Sequence, residues 1–217
     1  MWPWVRLLYE LCATTLAPDL CAACQEPVPM LTAFCSPCAQ TLVRAPPLVA
    51  RANDSPLLAP FLYGGALARA ITLFKYEDRP ELARPLSAVI VRALASLGSP
   101  PQLVVPVPLH PSRLASRGYN QAALLAGPVA RALGVPLAAR ALVRTRDTAQ
   151  QAKLDRDARL RNLMQAFAVR APREIAGKRV LLVDDVRTTG ATLRACQDAL
   201  AHAGAIEVTS AVVARAP

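Results

Sequence analysis

The chain has 217 residues, 53% of them hydrophobic, and 25 basic against 15 acidic residues leave a formal charge of +10. That length and apolar content suit one ordinary α/β domain with a small appendage and exclude a disordered or low-complexity protein. No charge-free apolar run approaches the ~20 residues that cross a bilayer, so stable membrane insertion is excluded and the cytoplasm is the expected location.

The N-terminal stretch Met1-Trp-Pro-Trp-Val-Arg-Leu-Leu-Tyr-Glu-Leu-Cys12 has no basic n-region and carries Arg6 and Glu10 inside its apolar run, unlike a signal peptide. Trp4, Leu7, Leu8 and Leu11 can share one helical face. Packing on the rest of the protein is the expected use, with membrane-surface contact as the alternative. Next come two Cys-x-x-Cys knuckles, Cys21-Ala-Ala-Cys24 and Cys35-Ser-Pro-Cys38, separated by ten residues. Four thiolates on two turns make the tetrahedral set that structural Zn2+ prefers. A disulfide framework is the alternative, but it fits poorly with the absent signal peptide. Four protein ligands saturate such a zinc, so Cys21, Cys24, Cys35 and Cys38 are expected to hold a structural metal. Cys12 and Cys196 are left over, and Cys196 falls at helical spacing with Leu193 and Leu200, as a core residue would.

Pro46-Pro47 and the polar run from Arg51 to Pro56 read as a linker. The expected division is residues 1–50, a short helix and a zinc ribbon, and residues 51–217, an α/β domain with a mainly parallel sheet. Helices are expected over Gly65–Lys75 and Leu82–Leu97. Leu103–Val107 reads as a strand running into a loop stiffened by Pro106 and Pro108, followed by Arg113 and Arg117 and a helix from Asn120 to Leu133 that Gly134 ends. Pro136–Ala138 suggests a short strand. Between Arg140 and Arg179 stand eleven basic and four acidic residues, an excess of seven in forty positions. Such a patch attracts polyanions, or is a solvated basic surface.

The densest signal is Val180-Leu-Leu-Val-Asp-Asp-Val-Arg-Thr-Thr-Gly-Ala-Thr192. An apolar run ending in two carboxylates, then a short turn and a helical pattern, reads as a buried parallel strand, Val180–Asp184, leading to a helix N-terminus. Ligands of open α/β sheets sit beyond the carboxyl ends of the strands. The chemistry fits a phosphorylated sugar. Asp184 and Asp185 can accept hydrogen bonds from ribose hydroxyls or hold Mg2+ through water. Backbone N–H groups from Arg187 to Ala191, with the hydroxyls of Thr188, Thr189 and Thr192, can cradle a phosphate, and Gly190 permits a close backbone approach. A strand ending in a solvated acidic turn is the alternative for a lone acid pair; the complete order of parts argues for a site. The last expected strand is Ile206–Ala214.

The Val180–Thr192 run resembles the phosphoribosyl pyrophosphate (PRPP) motif of type I phosphoribosyltransferases. Members that act on 6-oxopurines carry an Asp directly before the Thr-Gly; here that position is Thr188, so that base-handling role does not transfer. A narrower resemblance joins it. Val105-Pro-Val-Pro-Leu-His-Pro-Ser-Arg113 with Arg117-Gly-Tyr-Asn-Gln-Ala122 is similar to the signature of the ComF family, also called competence-protein or GntX-like phosphoribosyltransferases, save that Tyr119 stands where the family usually has Phe. The four cysteines, Tyr63-Gly-Gly-Ala-Leu, Leu73-Phe-Lys-Tyr76 and the segment Gln151–Phe167 agree in the same order, so the resemblance covers nearly the whole chain.

The resemblance implies a type I phosphoribosyltransferase fold, Rossmann-like and mainly parallel, behind an N-terminal zinc ribbon. It implies PRPP binding by Val183, Asp184, Asp185, Arg187, Thr188, Thr189, Gly190, Ala191 and Thr192, with Asp184 and Asp185 as catalytic residues. It implies pyrophosphate contacts at Pro108, Arg113 and Arg117. A lid loop carrying Arg144, Arg146, Gln151, Arg159 and Asn162 would close over the ligand; a solvated charged helix pair is the alternative there. The implied cofactors are structural Zn2+ and Mg2+ with PRPP. The implied role is handling of single-stranded DNA in natural transformation, with DNA-uptake proteins as partners and a homo-oligomer as a further expectation. The alternative is an active transferase moving phosphoribose from PRPP to an acceptor with release of pyrophosphate. Aromatic residues, the usual stacking platforms for single strands, are only 5% of the chain, which counts against the first role.

Overall fold

The computed structural model describes residues 19–29, 32–46, 55–145 and 166–217. The N-terminal helix expectation, Cys12, and the lid residues Arg146, Gln151, Arg159 and Asn162 lie outside them.

The sheet is built around β6 (Arg179–Arg187) and β7 (Glu207–Arg215), each carrying a four-residue apolar run, Val180 to Val183 and Ala211 to Ala214. β3 (Leu103–Pro106) pairs with one edge of β6, and the short strands β1 (Leu57–Leu58) and β2 (Phe61–Leu62) pair with β7, giving the order β1-β7-β6-β3 with every pairing parallel. A parallel sheet needs both faces covered, and the side-chain period of two sorts the strand residues between them. Leu181 and Val183 face one layer together with Ala211 and Val213. That layer contains α2 (Gly65–Tyr76), α3 (Ala83–Ala93), α5 (Gln121–Leu133) and the cysteine knuckles. Val180 and Leu182 face the other layer with Val208 and Val212. There they meet α6 (Pro172–Ile175), α7 (Ala191–His202) and a two-stranded antiparallel ribbon, β4 (Leu142–Arg144) with β5 (Phe167–Val169).

The helices follow their sequence signals. In α2 the buried positions Ala66, Leu67, Ala70, Ile71, Leu73 and Phe74 recur at three and four residues, which makes one apolar stripe. The Asn120 side chain accepts from the Ala122 N–H at 3.0 Å and starts α5; Gly134 at φ +66° ends it in the left-handed region. Leu82–Leu97 is interrupted, with α3 flanked by single 3-10 turns at Pro80–Leu82 and Leu94–Ser96. Three expectations change. Pro111–Arg117 is a helix, α4, where a loop was expected, because Pro111 sits at its first turn and His110 caps it. Pro136–Ala138 reduces to one bridge, Val104 to Leu137. The strand expected to stop at Asp184 runs through both acids to Arg187, held by β7 as far as Arg215.

The small lobe begins with α1 (Ser36–Gln40) and the two knuckles. It is bonded directly to α2: Arg69 Nε donates to the Ala23 carbonyl at 2.8 Å, and the Ala66 N–H donates to Thr41 Oγ1 at 2.8 Å. Gly65 is required at this junction, since a Cβ there would stand 2.6 Å from Thr41 Oγ1.

Candidate functional site

Where β3 and β6 part, a crevice opens. The two strands are in register as far as Pro106 and Val183, and the Val107 N–H still donates to the Val183 carbonyl at 2.9 Å. Pro108 has no N–H to continue the ladder, so the chain turns away while β6 goes on. Asp184 and Asp185 therefore stand beyond the end of β3, on a flank with no strand neighbour. The cavity there is about 410 Å3. Its walls include Val107, Pro108, Arg113, Arg117, Asn120 and Gln121 from the β3–α5 connection, Arg144 from β4, and Lys75 and Tyr76 from α2. Asp184, Asp185, Val186, Thr188 and Thr192 form the β6–α7 side, with Tyr63 and Ala216 at the margin.

Strand alternation sends the two acids to opposite faces. Asp185 turns toward the α2 layer and pairs with Lys75, Nζ to Oδ1 2.8 Å. Asp184 turns toward the β4 layer and is bonded by the Asp185 N–H at 2.9 Å. Burial, and then the negative charge of Asp185, push the Asp184 carboxyl up to about 7; Lys75 and Arg144 oppose this without cancelling it. Burial and the charge of Asp184 together push the Cys196 thiol well above its ordinary range, so it is a core sulfur and not a nucleophile.

The Asp184 shift has a stability consequence. The folded protein holds this proton where the unfolded chain has released it. The penalty is absent below pH 4, grows as pH rises from about 4 to 7, and is complete above 7. Asp184→Asn removes it. Thermal melts of the variant and the parent should therefore coincide near pH 4 and separate in favour of the variant at pH 8, by a few kcal/mol. Equal melting at pH 8 would show that Asp184 is ionised there at no cost.

On the α7 side, the chain bends from Thr188 to Gly190, and Gly190 at φ +76° precedes the first helical residue. Among the described residues the N–H groups of Thr189 and Gly190 donate to no protein acceptor. These free donors stand at the start of a 12-residue helix, where an anion could be bound. Arg194 Nη2 ties the loop by donating to the Thr189 carbonyl at 3.1 Å. Opposite, the Arg117 guanidinium lies 5.1 Å from the Tyr76 ring centre and donates to Gln121 Oε1 at 2.8 Å.

Of the residues expected in the site, Pro108, Arg113, Arg117, Arg144, Asp184, Asp185, Thr188 and Thr192 line one cavity. Arg187, Thr189, Gly190 and Ala191 belong to the adjoining strand end and turn, and Val183 is buried in the sheet beneath. Sequence reasoning assigned no role to Lys75, Tyr76, Asn120 and Gln121. A signal existed for Lys75: it is one of three lysines among 25 basic residues.

A second centre lies in the small lobe. The sulfurs of Cys21, Cys24, Cys35 and Cys38 all lie within 4.8 Å of one another, and Cys24 and Cys35 are 3.6 Å apart. That is too long for an S–S bond of ~2.05 Å and close to the ~3.8 Å edge of a tetrahedron with metal–sulfur bonds of ~2.3 Å. The Cys35 N–H points at Cys21 Sγ, 3.4 Å away. Burial and the neighbouring thiols push Cys38 up to about 12, so four thiolates together require a cation between them. The cluster can hold a metal ion and is compatible with structural zinc.

Comparison with known proteins finds relatives of this chain. The phosphoribosyl transferase domain family matches residues 120–217, the part that carries α5, β6, the acid pair and the helix turn. The DNA utilization protein YhgH of Escherichia coli K12 is 34% identical over 204 residues, 90% of this chain and 84% of that protein. Competence protein F of Haemophilus influenzae is 33% identical over 156 residues, 69% of this chain and 68% of that protein. Among solved structures, the glutamine PRPP amidotransferase of B. subtilis superposes with a TM-score of 0.47 at 20% identity, over 65% of this chain and 30% of that one. Relatives above 30% identity across most of the chain, beside this chain's own phosphoribosyl transferase domain match and its four clustered cysteines, make this protein a member of the ComF family.

Proposed function

We propose that the crevice binds PRPP together with Mg2+, and that the four-cysteine cluster holds structural zinc. The observation that carries the first reading is the division of charge within one cavity. Two carboxylates stand on the β6 side, Arg113, Arg117 and Arg144 face them, and a helix turn with unpaired N–H groups lies beside the acids. A ribose ester with a phosphate at one end and a pyrophosphate at the other matches that division. The Thr188–Thr192 turn takes the 5′-phosphate, Asp184 and Asp185 take the ribose hydroxyls, and Arg113 and Arg117 take the pyrophosphate. Mg2+ bound with the pyrophosphate supplies charge neutralisation for a departing leaving group. The acid pair favours positive charge developing on the sugar. The lid reading for Arg144, Arg146, Gln151, Arg159 and Asn162, and the division at residues 1–50 and 51–217, belong to the same proposal.

For the physiological role, the names of the relatives, DNA utilization protein and competence protein, support participation in handling single-stranded DNA. The excess of seven positive charges between Arg140 and Arg179 supplies the electrostatics. Phosphoribosyl transfer to an acceptor is the second reading, favoured by the acid pair itself.

Calorimetric titration of the zinc-loaded protein with PRPP tests the site. Saturable binding that requires Mg2+ is the expected result, and no heat at millimolar PRPP would overturn it. Pyrophosphate release in the presence of candidate acceptors would establish the transferase. DNA affinity that falls steeply between 50 and 200 mM salt would establish the nucleic-acid contact.

A further inference from the structure

Among the described residues, the cations around the acid pair are arginines except at one place. Lys75, in the last turn of α2, puts its ammonium against Asp185; the Lys75 side chain is 21% exposed and that of Asp185 only 8%. The turn that carries it is clamped on both sides. The Phe74 carbonyl accepts from the Tyr119 hydroxyl at 2.6 Å, and Tyr76 lies under the Arg117 guanidinium. So Lys75 is aimed into the crevice from a rigid base, and its pair with Asp185 is not a solvated surface contact. An ammonium is also the compact choice: a bulkier, planar guanidinium stands at most other basic positions of this chain. The lysine precedes residues 120–217, so the domain match gives it no role.

Two adjacent carboxylates at a sheltered strand end need a positive neighbour. A divalent cation approaching them finds that place taken, and like charges at such range repel strongly where water is scarce. We propose that Lys75 is the resident counter-ion of the acid pair and that it changes places with a divalent cation. In the free protein Lys75 holds Asp185. It cedes the carboxylate to the metal when the phosphate of an anionic ligand takes up the released ammonium. Metal and anion are then linked, each strengthening the other's binding, and neither binds well alone. The ligand half of this exchange rests on the PRPP reading; the competition between Lys75 and the cation does not.

The test uses the full chain with its cysteine centre loaded with zinc, and Mn2+ as the probe, read by the electron paramagnetic resonance signal of the free ion. Wild type, Lys75→Met, Lys75→Gln and Lys75→Arg are titrated with Mn2+ alone and with Mn2+ plus PRPP, and each is melted to confirm folding. Loss of the charge in Lys75→Met and Lys75→Gln should tighten Mn2+ alone about tenfold and weaken the enhancement by PRPP about tenfold. Lys75→Arg keeps the charge and should bind Mn2+ alone as weakly as wild type. A purely structural lysine would weaken both ligands together in every variant. The exchange is overturned if removing the charge leaves Mn2+ binding unchanged or weaker in both neutral variants. If neutral variants gain Mn2+ affinity while PRPP binds to no form of the protein, the PRPP reading fails and the competition stands. If PRPP binds and Mn2+ affinity does not rise, the reverse holds.

Discussion

Cys21→Ser is expected to be the most damaging single substitution in the chain. Cys21 is 1% exposed, and its neighbours Ala22, Ala23, Val28 and Phe34 belong to the same apolar cluster as Leu67, Phe74, Leu86 and Ile90. Zinc held there as proposed would supply folding energy to a lobe this small, and three ligands cannot replace four. Losing the metal therefore exposes one flank of α2 and α3 and frees the Arg69 and Thr41 bonds that tie the lobe down. A loss of several kcal/mol, or a fall of roughly 10 °C in Tm, should appear in scanning calorimetry. A chelator should produce the same fall in wild type and no further change in the variant. Unchanged melting after verified metal removal would mean that the knuckles fold on their own contacts.

Asp185→Asn should abolish measurable PRPP binding and leave the fold nearly intact. The variant loses a charged acceptor placed where ribose hydroxyls and hydrated Mg2+ are proposed to sit. Charge-assisted bonds of ~1.5–3 kcal/mol each make the loss about a hundredfold or more. Stability should move little because Lys75 keeps a second carboxylate in range: its charge already acts on Asp184. Removing Asp185 also takes away one of the two causes that raise Asp184. Calorimetry with PRPP and Mg2+, beside thermal melts at the same pH, separates binding from folding. Undiminished affinity would place the ligand elsewhere.

The main elements of the fold can be read from local rules. β6 and β7 each hold a four-residue apolar run that reads as a covered strand, α2 carries an apolar stripe, and α5 carries a stripe with a cap at each end. The short pieces could not be read. β1 and β2 have two residues each and exist because β7 offers them an edge; β4 and β5 depend on pairing across a long insertion. The end of β6 was set too early because two acids look like a stop, whereas the ladder to β7 carries them on to Arg187. In the site, Asp184 and Asp185 stood out through type and spacing, whereas Arg113 and Arg117 were named through the family resemblance. Lys75 did not, since its partner lies 110 positions later and only the packing of α2 on the sheet brings the two together.

The position of β7 in the middle of the sheet has a consequence for how the protein is made. Leu57 in β1 pairs with Ser210, and Leu103 in β3 reaches that strand only through β6. β1, β2 and β6 do not find their full set of neighbours until residues 207–215 have left the ribosome. The nascent chain must therefore carry β1 and β2 unpaired until β7 has been made. Pairings that distant in sequence form slowly. The newborn protein is a natural client for chaperones that shield hydrophobic segments.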